Sequence, residues 1–143
     1  MDITQADGNG LKADSIISMT NGIIEAHVTG DLSEAVCCSY KADLKGGNIN
    51  LVLDGDGCKG VKSNKSSKGK VQNGGNLNFM GTNVSVTVNG GVYKKDNSKS
   101  YGLKADQTLT QTAGDLNIIL NNPEAQAYKA TTTNFIGGTR NFK

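Results

Sequence analysis

The stretch LKADSIISMTNGIIEAHV, Leu11–Val28, aligns without a gap on LKADQTLTQTAGDLNIIL, Leu103–Leu120, with Gly22 falling on Gly114. Both open on an apolar-Lys-Ala-Asp tetrad, and variants of it recur: Leu11-Lys12-Ala13-Asp14, Tyr40-Lys41-Ala42-Asp43, Val61-Lys62-Ser63-Asn64, Leu103-Lys104-Ala105-Asp106 and Tyr128-Lys129-Ala130-Thr131. Their first residues stand 29, 21, 42 and 25 positions apart (40−11, 61−40, 103−61, 128−103), a period near 25 with insertions. After each of the first four copies comes a Gly or Asn turn and then alternation: Ile24, Ala26, Val28; Ile49, Leu51, Leu53; Val84, Val86, Val88; Leu116, Ile118, Leu120. A period of two puts these side chains on one face of a strand and Glu25, Asn50, Ser85 and Asn117 on the other.

A unit of this size cannot bury its apolar face alone, so units must stack, with equivalent residues about 4.8 Å apart. Short strands without helical periodicity predict an all-β solenoid, a parallel β-helix of about five coils. The general rule for parallel crossovers makes it right-handed. A leucine-rich horseshoe lacks its Leu pattern, and a propeller needs longer blades. An antiparallel sandwich leaves the recurring Lys register without a cause. Residues 1–143 are expected to form one domain, with inserted loops near 63–69 and 92–100, and with the N-terminal residues and a segment near 135–143 acting as caps.

Nineteen Gly against one Pro and no Trp suit frequent turns and all-β structure. A net charge of +2, from 15 Lys plus Arg and 13 Asp plus Glu, gives no long-range pull on nucleic acid. No apolar run is long enough for membrane insertion, and the N-terminus lacks the layout of a signal peptide. Three Cys without a Cys-x-x-Cys spacing leave the compartment open.

The segments Gly46-Gly47-Asn48-Ile49-Asn50-Leu51, Asp54-Gly55-Asp56-Gly57 through Val61-Lys62-Ser63, and Asp7-Gly8-Asn9-Gly10-Leu11-Lys12-Ala13 resemble one family: secreted bacterial carbohydrate-binding domains with a pectate-lyase-like, right-handed parallel β-helix, often described as adhesin-like. The resemblance implies binding of acidic or plant cell-wall polysaccharide, bound calcium, and a secreted or cell-surface location. The expected function is non-catalytic polysaccharide binding by a monomer. The alternatives are an adhesin or structural solenoid without glycan affinity and a polysaccharide lyase acting on uronates.

Alternation turns the lysines Lys12, Lys41, Lys62, Lys104 and Lys129 outward, where a row of cations either tracks uronate carboxylates or solubilises the sheet, neutralised by Asp14, Asp43 and Asp106. Asn50 and Asn117 are expected to share in binding. Tyr93 and Tyr101, flanking the second loop, are candidates to stack on sugar rings, whereas Tyr40 and Tyr128 occupy the inward position. Asp54, Asp56, Asp43 and Asp14, with Asp7, are hard oxygen donors of the kind calcium gathers, although no EF-hand loop is present. Cys37 and Cys58, each three residues before its tetrad, are expected to be stacked neighbours, paired or as free thiols. His27 is the only histidine and has no partner spacing for zinc or a catalytic triad. A lyase base would be Lys or Arg; no ladder lysine is singled out, and Arg140, the only arginine, lies in the tail.

Overall fold

A computed structural model describes residues 1–5, 8–65 and 74–143. Asp7 and residues 66–69 of the first expected loop lie outside them. Among the described residues there are strands and no helix, arranged as three parallel sheets and one hairpin. Sheet I holds β2 (Asn9–Ala13), β5 (Glu34–Cys38), β8 (Lys59–Ser63), β13 (Tyr101–Ala105) and β16 (Gln126–Lys129). Sheet II holds β3 (Ile16–Met19), β6 (Lys41–Leu44), β9 (Asn76–Met80), β14 (Thr108–Ala113) and β17 (Thr132–Phe135). Sheet III holds β1 (Asp2–Gln5), β4 (Ile23–Val28), β7 (Asn48–Leu53), β10 (Asn83–Val88), β15 (Asp115–Leu120) and β18 (Thr139–Phe142). The chain visits sheets I, II and III in turn and re-enters sheet I one strand further on, so neighbouring strands are successive units of sequence.

The pairing corrects the repeat. Leu11, Val36, Val61, Leu103 and Tyr128 share one column of sheet I, so the spacings are 25, 25, 42 and 25 (36−11, 61−36, 103−61, 128−103). The column Ile24, Ile49, Val84, Leu116 of sheet III steps by 25, 35 and 32 (49−24, 84−49, 116−84). The 42-residue interval is therefore a 25-residue unit with ten residues added between β8 and β10 and seven between β10 and β13. The second tetrad, Tyr40-Lys41-Ala42, is not in the sheet I column. Val36-Cys37-Cys38 stands there, and Lys41 pairs with Ile16 and Asn76 in sheet II. Burial decides this: Val36 and Cys38 are fully enclosed, and an outward lysine gives a register no packing energy.

The same shift separates Cys37 from Cys58. Register places Ser33, not Cys37, beside Cys58: Glu34 pairs with Lys59, one position on in both strands. Gly8 N–H and Cys58 N–H donate to the hydroxyls of Ser33 and Ser100, each at 3.1 Å. All three cysteines are free and buried.

The inward residues of sheet III behave as the alternation predicts, Ile49, Leu53, Val86, Val88 and Ile118 being fully enclosed. Phe79, Leu44, Leu77 and Leu109 fill the core from sheet II, and Leu103 and Val61 from sheet I. A Cβ on Gly60 would stand 3.2 Å from Val86 Cγ1, and one on Gly102 2.8 Å from Ile118 Cγ2, so sheet I backbone lies directly against sheet III side chains. At the last unit Tyr128, Phe135 and Phe142, one from each sheet, form a ring cluster with centroids 5.5, 5.6 and 6.3 Å apart. The segment near 135–143, expected to act as a cap, includes the end of β17 and all of β18, the terminal strands of sheets II and III. The second expected loop is a hairpin of β11 (Val92–Tyr93) and β12 (Ser98–Lys99). Asn97, at φ 59°, makes its turn, and Asp96 accepts the Ser98 N–H at 2.9 Å.

Candidate functional site

The expected site residues are divided: Lys12, Lys62, Lys104 and Tyr101 lie on sheet I and Asn50 and Asn117 on sheet III, with Lys41 on sheet II and Tyr93 on the hairpin. On sheet I, Lys12, Cys37, Lys62, Lys104 and Lys129 form one column. Lys62 is paired with Glu34, Lys104 stands 3.8 Å from Asp106, and Lys129 lies 5.9 Å from the Tyr101 ring centroid. Burial works to raise the Glu34 carboxyl, but hydrogen bonds from Cys37 and Lys62 hold it below the usual carboxylate range. Lys41, away on sheet II, is 2.9 Å from Asp43. Tyr101 is 7 % exposed beside Lys59, so its ring is not open for stacking. Tyr93 is half-buried on the hairpin with Lys95 5.9 Å from its ring.

Cys37 interrupts the lysine column and is only 1 % exposed. Burial, then the hydrogen bond to Glu34, pushes its thiol up to about 12. Burial likewise raises Cys38 and Cys58. A thiol held protonated is a poor nucleophile. We expect all three cysteines to stay unmodified by iodoacetamide in the folded protein at neutral pH and to react once it is denatured, read by intact mass; rapid alkylation of the native chain would contradict their burial.

On sheet III, Asp2, Glu25, Asn50, Ser85, Asn117 and Asn141 form an outward column. Asn50 Nδ2 donates to Glu25 Oε1 at 3.3 Å, and Asn117 Oδ1 is enclosed without a hydrogen-bond partner. A shallow groove of about 450 Å³ crosses β1, β4, β7 and β10, lined by Asp2, Glu25, His27, Asn50, Val52, Ser85 and Thr87. Beside it His27 Nε2 lies 2.5 Å from Asp54 Oδ2, and Asn89 donates to Asp54 Oδ1 at 2.6 Å. Asn89 first, then His27, holds the Asp54 carboxyl below its ordinary value.

The aspartates proposed as calcium ligands are divided. Asp54 and Asp56 share a turn, but Asp56 accepts the Gly91 N–H at 2.7 Å while Asp54 is held by Asn89 and His27. Asp43 is held by Lys41 and Asn78 on sheet II, and Asp14 lies exposed beyond β2. Among the described residues no three His, Cys, Asp or Glu side chains are grouped to hold a metal.

Lys59, Glu34, Ser85 and Thr87 were not singled out as site residues. Lys59 aligns with Glu34, Tyr101 and Gln126 only in the 25-residue register, so the signal for it was hidden by the displaced second tetrad.

Fold and surfaces together define a class: an all-β protein of stacked parallel sheets presenting one cationic column and one carboxylate-and-amide column on separate faces. No protein-family model, curated protein or solved structure matches the chain.

Proposed function

We propose that the chain is a right-handed parallel β-helix that binds acidic polysaccharide on the outer face of sheet I without acting on it chemically, as a module of a secreted or cell-surface protein related to pectate-lyase-like carbohydrate-binding domains. The cyclic order of the sheets, the close approach of Gly60 and Gly102 to sheet III side chains and the three-sheet aromatic cluster support a closed coil. One observation carries the function: Lys12, Lys62, Lys104 and Lys129 project from one column, the last three on consecutive strands about 4.8 Å apart. A flexible ammonium serves as a point charge that tolerates variation in where a polymer's carboxylates fall. Binding of a polyuronate, measured by affinity electrophoresis with and without calcium, is expected to weaken steeply as salt rises. Absence of binding to any glycan would return the chain to a structural or adhesive role, and release of unsaturated uronate, read by absorbance, would make it a lyase.

The groove on sheet III favours a second reading. Its lining offers carboxylates, an amide and hydroxyls but no lysine or arginine, a surface suited to the hydroxyls of a neutral glycan and unfavourable to a polyanion. Glu25→Gln with Asn50→Ala is expected to weaken a neutral oligosaccharide about tenfold and leave polyuronate binding unchanged; loss of both together would place the two ligands on one surface.

A further inference from the structure

Lys59 precedes Lys62 by three residues on β8, and these two pair with Tyr101 and Lys104 of β13, so three lysines crowd two adjacent strands. Lys59 is 7 % exposed. A lysine covered to this degree ordinarily has a carboxylate partner. Its ammonium donates instead to the carbonyl oxygen of Gly57, and none of the ion pairs among the described residues includes it. Glu34, its neighbour in register on β5, is taken by Lys62 and Cys37. Asp106 stands at 3.8 Å from Lys104, a loose pairing. Among the described residues the cluster therefore holds a covered cation that makes no ion pair of its own, the attraction of Glu34 being shared with Lys62.

We propose that Lys59, Lys62 and Lys104 form an oxyanion site that takes the carboxylate or sulfate group of an acidic glycan. The polymer rests on the reading above, but the anion does not. Burial and then the neighbouring ammonium groups push both Lys59 and Lys104 below their ordinary values. An oxyanion seated among them removes the mutual repulsion and supplies acceptors to ammonium donors that have few.

The test uses the full chain, with Lys59→Met, which keeps the apolar stem, and Lys104→Gln, which changes a more exposed member of the cluster. Thermal unfolding is followed in sodium sulfate against sodium chloride at equal ionic strength, and with a uronic acid monomer; polyuronate binding is followed by calorimetry. Sulfate stabilises proteins generally by exclusion from their surface, so the readout is the difference between wild type and variant. Both anions are expected to raise the wild-type Tm more than that of either variant, and polyuronate affinity is expected to fall about tenfold in Lys59→Met. Without anion, Lys59→Met should melt no lower than wild type, because it relieves crowding; should it fail to fold, Lys104→Gln carries the same comparison. Equal responses to sulfate and monomer in wild type and variants would overturn the site. A wild-type response lost in the variants, with no polyuronate binding, would keep the oxyanion site and remove the glycan reading. Polyuronate binding equally tight in wild type and variants would keep the glycan reading and remove the site.

Discussion

Phe79→Ala is expected to lower the free energy of unfolding by about 3–5 kcal/mol, the largest stability loss of any single truncation in the chain. Phe79 is fully enclosed and belongs to the apolar core shared by the three sheets. It stands on β9, between Leu44 of β6 and Gln111 of β14, both also fully enclosed. Removing the ring loses its burial and leaves a cavity that hydrogen-bonded strands on either side cannot collapse into. Gln111 adds to the rigidity, because its amide nitrogen donates to the carbonyls of Gly114 at 2.9 Å and Thr139 at 3.0 Å. Urea denaturation should show a lower midpoint with an unchanged slope. A change below about 1 kcal/mol would mean that the sheets do not share a packed interior.

The second large effect is on binding. Replacing Lys12, Lys104 and Lys129 together by glutamine is expected to weaken polyuronate about a hundredfold while the melting temperature stays close to wild type. These three are preferred to Lys62 because Lys62 neutralises Glu34, and its removal would strip a largely covered carboxylate of its ion pair and leave it the Cys37 hydrogen bond, a folding cost of about 1–3 kcal/mol. Lys41→Gln is the control. It belongs to the same sequence motif but to another sheet, so it should leave affinity unchanged. Equal loss from Lys41→Gln would show that general positive charge, and not the sheet I column, attracts the polymer. Unchanged binding by the triple variant would return these lysines to solubilising the sheet.

The contrast between Lys41 and the other ladder lysines shows where sequence reasoning succeeds. Burial is written in the chain as period-two alternation, and Ile49, Leu51, Leu53, Val84, Val86 and Val88 all point into the core as that alternation requires. Polar motifs lack this anchor. Tyr40-Lys41-Ala42 imitates its neighbours in letters, yet Val36-Cys37-Cys38 packs in its place. Residues Asn50 and Lys62 both point outward, as alternation required, but one is on sheet III and the other on sheet I, a separation that local periodicity does not encode.

By itself the sequence determined the all-β class, a stacked unit near 25 residues, the inward and outward faces of β4, β7, β10 and β15 and the place of the second insertion, because these follow from local alternation and glycine-marked turns. Only the tertiary structure decided which lysines share a column, that Cys37 lies among them while Ser33 stands beside Cys58, that Asp43 and Asp14 stand apart from Asp54 and Asp56, and that Lys59 is covered yet makes no ion pair among the described residues. Those features depend on register between strands 25 or more residues apart. Register is set by how the enclosed side chains pack, while the outward residues that would bind a ligand are carried along by it.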